Sequence, residues 1–247
     1  PQLVTTLDND AGAFTVFAPP NTAFTALVTA LSANANTGIM NLGSFQGYQL
    51  IPVLKYHVVA GKVRSTQVTA GSVPTLGGTV VADTTSGVQI DGVDVVIADI
   101  LTSNGVIHVV ESVLLPSITD VVTTAPELES LKNAVLAADG ATGTTPKVAT
   151  ALDAPAATGS YTLFAPNNAA FTALGTAPTG QDLTNVLLYH VLNEANAIYA
   201  AQALALASPT PFNTLLGTGA SQQIIISASG GMVVLDDAGT AMNANVS

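Results

Sequence analysis

Three histidines, His57, His108 and His190, are the side chains of this sequence best suited to proton transfer or metal ligation near neutral pH. No two of them stand at the i, i+4 spacing that puts a pair of ligands on one helical face. There is no cysteine, which excludes disulfides and thiolate metal sites. Asp236-Asp237 and Asp8-Asn9-Asp10 read as polar turns, because a calcium loop spreads its ligands over about twelve residues. Gly61-Lys62 runs into Val63, so it is no phosphate-binding loop. No Gly-x-Gly-x-x-Gly follows a strand, and no Gly-x-Ser-x-Gly elbow occurs. The sequence therefore offers no catalytic residue, no cofactor site and no metal site. Each histidine is expected to be partly buried, its ring nitrogens satisfied by backbone or carboxylate.

Two histidines follow a tyrosine, as Tyr56-His57 and Tyr189-His190. Lys55, Lys62 and Arg64 place three of the five basic residues beside the first pair. In an acidic chain that local positive spot is a candidate contact for an acidic partner or glycan. The second pair has Glu194 nearby instead, so the two regions are expected to differ in binding. Asp99 and Asn104 are expected to fix a turn through side chain–backbone hydrogen bonds. Asn245-Val246-Ser247 is a formal glycosylation sequon.

The elements that position these residues come in duplicate. Residues 14–27 read Phe-Thr-Val-Phe-Ala-Pro-Pro-Asn-Thr-Ala-Phe-Thr-Ala-Leu, and residues 161–174 read Tyr-Thr-Leu-Phe-Ala-Pro-Asn-Asn-Ala-Ala-Phe-Thr-Ala-Leu, at a constant offset of 147. A whole domain is thus repeated. Phe14 to Phe17 reads as a buried strand. Pro19 and Pro20, or Pro166, end it by removing ladder donors. Asn21 and Thr22, or Asn167 and Asn168, can then cap a helix, and Phe24, Leu27, Val28 and Leu31 form its apolar face. Phe17 to His57 spans 40 residues and Phe164 to His190 spans 26, so copy two is 14 residues shorter, with Ser32–Gly47 as the expected insertion.

Tyr48 to Val59 reads as a short helix or strand edge, and Val63 to Val68 as a small strand. Val73 to Val96 is expected to be a meander closed by a tight Asp91-Gly92 hairpin, with Asn104-Gly105 a second turn of that kind. In the strand Val106 to Val110, His108 shares a face with Val106 and Val110. Pro116 is expected to close the first domain. Residues 117–140 read as helical, with stripes at Ile118, Val121 and Val122 and at Leu128, Leu131, Val135 and Leu136. Pro126 suits a first helical position, and Asp139-Gly140 a stop. Ile224 to Ile226 and Met232 to Leu235, around Gly230-Gly231, repeat the meander.

The doubled stretch resembles the first signature of fasciclin-like (FAS1) domains. Tyr56-His57 and Tyr189-His190 resemble the family's Tyr-His motif. Ala98-Asp99-Ile100-Leu101-Thr102-Ser103-Asn104-Gly105-Val106-Ile107-His108-Val109-Val110 is similar to its second signature. The resemblance covers essentially the whole chain as two tandem copies, 1–116 and 117–247. It implies an α+β fold, each domain a wedge of strands with helices packed on one side. It also implies a non-enzymatic, secreted or cell-surface adhesion module whose partner is a protein or glycan of a cell surface or matrix. The first copy lacks the family's opening helices and the second its closing strands. The expectation is either a window on a longer tandem array or a processed fragment, or else an extracellular filament subunit. In that last case neighbouring chains complete each other by segment exchange.

Composition agrees with such a module. The chain has 247 residues, 48% apolar and 9% charged, against about 25% charged in an average soluble domain. Net charge is −11 with five Lys and Arg, which argues against nucleic acid and against docking on an anionic membrane surface. No apolar run approaches the roughly 18 residues of a membrane span, so direct insertion is not expected.

Overall fold

The computed structural model describes residues 2–8, 12–33, 40–45, 47–143, 147–153, 160–194, 198–217, 222–237 and 244–246. Among them the chain forms two units, one running to Thr124 and one starting at Ala125. Each combines helices with sheet.

Unit 1 contains α1 (Gln2–Leu7), β1 (Phe14–Ala18), α2 (Asn21–Ser32), α3 (Gly47–Tyr56), β2 (Val58–Ala60), β3 (Gly71–Thr75), β4 (Gly78–Asp83), β5 (Gln89–Ile90), β6 (Val93–Leu101), β7 (Gly105–Val110) and α4 (Ile118–Thr124). Its seven strands form one sheet in the order β2-β1-β7-β6-β5-β4-β3. β1 runs antiparallel to β2 and parallel to β7, with Phe14 opposite Gly105. Parallel neighbours need a long crossover, and here nearly the whole unit lies between them. Alternate side chains turn inward, so Thr15 and Phe17 of β1 and Val106, His108 and Val110 of β7 are buried. Phe17, Tyr56, Val59, Val80, Ala82, Ile90, Val110 and Leu114 make the core. Each large apolar side chain buried there contributes roughly 1.5–3 kcal/mol.

Unit 2 contains α5 (Glu129–Gly140), α6 (Val148–Leu152), β8 (Ser160–Leu163), α7 (Asn168–Leu174), α8 (Gly180–Tyr189), β9 (Val191–Glu194), α9 (Ala200–Leu204), β10 (Thr210–Asn213), β11 (Gln223–Ser229), β12 (Met232–Asp237) and β13 (Ala244–Val246). β8 and β9 form a two-stranded sheet, and β10-β11-β12-β13 a four-stranded one. Leu192, Ala203, Ile224, Ile226 and Val233 form a core cluster. The Asp139 carboxylate accepts the Val148 and Ala149 amides at 2.6 and 2.9 Å, which ties the end of α5 to the start of α6. Lys147 donates to the Asp139 and Ala141 carbonyls there.

The first signature folds as expected, with one difference between copies. Asn167 caps α7, its Oδ1 accepting the Ala170 amide at 2.9 Å. In copy one the equivalent position is Pro20, which has no side-chain acceptor, so α2 starts uncapped and Asn21 is already helical. Asn168 instead accepts the Ser130 amide and donates to the Pro126 carbonyl. Copy one gains length within the helix as well as after it, since α2 has 12 residues and α7 has 7.

Three local expectations are corrected. Val63–Val68 is no strand but holds a 3-10 turn at Ser65–Gln67, because Ser65 is bound to Asp99. Asn104-Gly105 is not a left-handed pair like Asp91-Gly92, whose φ values are +50° and +76°. Gly105 instead opens β7, and its lack of a Cβ admits the Phe14 carbonyl oxygen, which would lie 2.4 Å from one. On α5 the inward stripe is Leu131, Ala134, Val135 and Ala138, whereas Leu136 is exposed. These three apart, α4 follows Pro116, and its Asp120 carboxylate accepts the Thr79 amide at 2.9 Å. Asn9, Asp10 and Ser247, and parts of the Ser32–Gly47 loop, lie outside the described residues.

Candidate functional site: the Tyr-His pairs and their surroundings

The C-terminus of a helix leaves carbonyls without intrahelical donors. In both copies a histidine supplies one. His57 Nδ1 lies 2.7 Å from the Val53 carbonyl, and His190 Nδ1 lies 2.8 Å from that of Val186. A carbonyl only accepts, so Nδ1 carries the proton and Nε2 is an acceptor. The backbone then joins helix to strand identically twice: the Phe17 amide donates to the His57 carbonyl and the Phe164 amide to that of His190, each at 2.9 Å.

The surroundings differ. His57 is 4% exposed, and its Nε2 accepts the Leu114 amide at 3.0 Å. Burial lowers its pKa, against a smaller opposing effect of the Val53 carbonyl. His190 is half-buried, and no partner for its Nε2 occurs among the described residues. It lines an apolar cleft of about 230 Å³ together with Phe171, Leu174, Pro178, Leu183 and Val186.

Tyr56 is equally buried, and its hydroxyl lies 2.9 Å from Asp91 Oδ2 and 3.1 Å from the Thr79 carbonyl. Asp91 also accepts the Val81 amide through Oδ1 at 2.7 Å, so the hairpin aspartate locks the tyrosine to the meander. Tyr189 donates to the Gln223 carbonyl at 2.7 Å.

The second signature forms another network. His108, 2% exposed, accepts the Asp99 amide on Nδ1 at 3.2 Å and donates from Nε2 to the Val63 carbonyl at 2.9 Å. Its ring stacks on Phe17, with centroids 6.0 Å apart. Asp99 has φ of +62°, and its carboxylate accepts the Ser65 amide at 2.8 Å and the Ser65 hydroxyl at 2.5 Å. Those bonds to Ser65 hold the Asp99 pKa below the ordinary carboxylate value. Asn104 donates to the Leu7 carbonyl at 2.7 Å, and its own carbonyl accepts the Phe14 amide. Asp99, Asn104 and His108 thus join the 3-10 turn, α1 and β1 to one hairpin.

Lys62 and Arg64 stand in solvent on the segment between His57 and that turn, and Lys62 Nζ lies 3.3 Å from the Thr102 carbonyl. Lys55 is half-buried. Next to Thr102, β6 ends with Val96, Ile97, Ile100 and Leu101 all exposed. β5 meets β6 only at Val93 and Asp94, so beyond them its outer side has no strand among the described residues. Pairing with β7 shifts register twice, which gives β6 an extra residue each time. This apolar edge escaped the sequence reading, since an exposed and a buried β-branched run look alike. Ser65 and Leu114 were missed too, as was the bond from Tyr56 to Asp91, because each matters through a partner distant in sequence. Ser117 and Asp120, by contrast, spell a capping box: Ser117 Oγ accepts the Asp120 amide and the Asp120 carboxylate accepts that of Ser117, both at 3.0 Å.

Among the described residues no three His, Asp or Glu side chains gather as metal ligands, and no helix is long and apolar enough to cross a membrane. Comparison with known proteins adds the family. Over 107 residues the chain is 40% identical to protein sll1483 of Synechocystis, covering 42% of this chain and 56% of that one. It is 38% identical over 108 residues to the uncharacterized protein sll1735 of the same organism, covering 42% and 74%. It is 35% identical over 116 residues to immunogenic protein MPB70 of Mycobacterium bovis, covering 46% and 54%. The chain therefore spans about half the length of the first of these relatives and of MPB70. Among solved structures it is similar to a FAS1 domain pair of the insect cell adhesion molecule fasciclin I, at 14% identity and a TM-score of 0.38, over 99% of this chain and 84% of that one. The fasciclin domain model matches residues 1–116 and 141–246, and on these two matches the chain belongs to the fasciclin domain family.

Proposed function

We propose that this chain is a non-enzymatic adhesion or interaction module acting outside the cell, with a protein or glycan of a cell surface or matrix as its partner. Fasciclin domains are typically extracellular modules of this kind. The observation that carries the reading here is the outer end of β6. Val96, Ile97, Ile100 and Leu101 are 41–56% exposed on a strand edge that no described strand covers. Exposed Lys62 reaches the turn that follows. An apolar strip beside a positive spot suits an acidic protein face or an acidic glycan.

The test is adhesion of the purified chain to cultured cells and to immobilised heparin, with and without Lys62→Glu/Arg64→Glu and Ile100→Ser. Retention that falls several-fold in either variant, with unchanged circular dichroism, supports the reading. No retention on either surface, or retention indifferent to both variants, overturns it.

A further inference from the structure

The core of unit 1 is not filled. A cavity of about 170 Å³ lies between β1, β2, β7, the meander and the segment from Val63 to Thr69. Phe17, Val59, Ala82 and Ile90, all buried, line it together with Thr15 and His108, each 2% exposed. Close-packed interiors hold few voids larger than a water molecule. An apolar cavity of about 150 Å³ is already large enough to take up a benzene ring.

The buried polar side chains of that lining are already engaged. Thr15 Oγ1 donates to the Gly61 carbonyl at 2.8 Å and accepts the Val63 amide at 2.9 Å. His108 Nδ1 accepts the Asp99 amide and Nε2 donates to the Val63 carbonyl, so its ring is neutral. An enclosed water needs about two to four polar partners, and these two side chains leave it a spare lone pair on Thr15. No Lys, Arg, Asp or Glu is among the described residues of the lining, so a charged guest would find no counter-ion. The rings of Phe17 and His108, stacked with centroids 6.0 Å apart, favour an aromatic guest. The outer end is different. Gln67 and Thr69 are exposed, and they mark where the cavity meets solvent. Gln67 Oε1 accepts the Arg64 amide at 2.9 Å, which leaves Nε2 to donate elsewhere.

We propose that this cavity binds a neutral, monocyclic aromatic molecule carrying one hydroxyl or carbonyl group, of which a substituted phenol is the simplest member. The ring lies against Phe17, Ile90 and His108, and its oxygen accepts from Gln67 Nε2 at the rim. Asp99 is a positioning residue for the site, since its carboxylate holds Ser65 and with it the 3-10 turn that carries Gln67. None of the exposed β6 residues lines the cavity, so adhesion through that edge and binding here can fail separately.

The probe is para-ethylphenol, titrated into the 247-residue chain and followed by its methyl and amide resonances. Saturable shifts at Val59, Val68 and Ile90 are expected, with Kd below about 1 mM. Ala82→Leu fills the cavity and should weaken binding at least about tenfold, with an unchanged or raised melting temperature. Val68→Phe, at a half-buried lining position, keeps the test decisive if Ala82→Leu fails to fold. Gln67→Ala, or ethylbenzene in place of the phenol, should each weaken binding about three- to tenfold. Asp99→Ala should weaken it as well, by releasing the turn. para-Ethylbenzoate, which is charged, should bind at least about tenfold more weakly. No saturable shift at Val59 and Ile90 with millimolar probe, equal binding of ethylbenzene or para-ethylbenzoate, or an affinity unmoved by both cavity-filling variants would overturn the proposal. So would shifts confined to Phe171 and His190, which would make the cleft of unit 2 the site.

Discussion

His57 and Leu114 meet across 57 positions of sequence, the imidazole Nε2 accepting the leucine amide at 3.0 Å inside the core of unit 1. With Nδ1 given to Val53, the ring joins the end of α3 to the segment beyond β7. His57→Phe leaves a buried amide and a helix-end carbonyl unpaired. It should destabilise unit 1 by about 2 kcal/mol or more, whereas His190→Phe, at a half-exposed site, should cost about 1 kcal/mol or less. Urea unfolding followed by circular dichroism measures both, and equal losses would contradict the assignment.

The same ring should make unit 1 sensitive to mild acid. Burial keeps the folded His57 pKa below its ordinary value of 6.5, so as pH falls the unfolded chain takes up the proton first. The stability tied to the neutral ring is therefore present above pH 6.5 and is lost as pH drops through the folded pKa. The urea midpoint should fall between pH 7.5 and 5.5 in the native sequence and stay flatter in His57→Gln. Parallel profiles would remove His57 as the source.

Gly105 and Gly92 should respond to alanine for different reasons. At Gly105 a Cβ would lie 2.4 Å from the Phe14 carbonyl oxygen, a clash between two paired strands, and the loss should be about 2 kcal/mol or more. At Gly92 nothing lies within 4 Å, but φ is +76°, and the loss should be about 1 kcal/mol from backbone strain alone. Replacing Gly92 by Asn should recover most of its loss, and replacing Gly105 by Asn should not.

Asp99→Ala should release the Ser65–Gln67 turn, since both bonds to Ser65 come from that carboxylate. Hydrogen exchange at the Ser65 amide should accelerate, while exchange at Val80, in the core, should hold. In the native sequence the same release should come only in strong acid, because the Asp99 pKa lies below the ordinary 3.8 and the stabilisation is lost as pH falls through it. Unchanged exchange at Ser65 in the variant would show that the turn stands without Asp99.

Tyr56→Phe should cost unit 1 about 1 kcal/mol, and the loss should be coupled to that of Asp91→Asn, since the two side chains share one hydrogen bond. A double-mutant cycle giving zero coupling would assign the tyrosine hydroxyl to the Thr79 carbonyl alone.

Much of this architecture is legible one element at a time. The strand–proline–helix unit, the Asp91-Gly92 hairpin and the inward alternation around His108 all follow from local periodicity and turn chemistry. Reading fails where a residue's role depends on what approaches it. Gly105 looks like a turn glycine after Asn104, yet it serves the Phe14 carbonyl of another strand. Val63–Val68 has strand composition, but Asp99 draws Ser65 into a turn. Leu136 fits an apolar stripe, but the neighbours of α5 take Ala134 and Ala138 instead.

By itself, then, the sequence determined that one domain type occurs twice, where its first strand and helix lie, and that its histidines lack the spacing of a ligand set. These are properties of residue type and spacing, and they hold before any contact forms. Only the tertiary structure decided that His57 and His190, identical in motif, differ in circumstance. One is buried under Leu114, and the other faces a cleft. The physical reason is that burial and hydrogen-bond partnership belong to pairs of segments, and the segment that satisfies His57 lies 57 residues away in the chain.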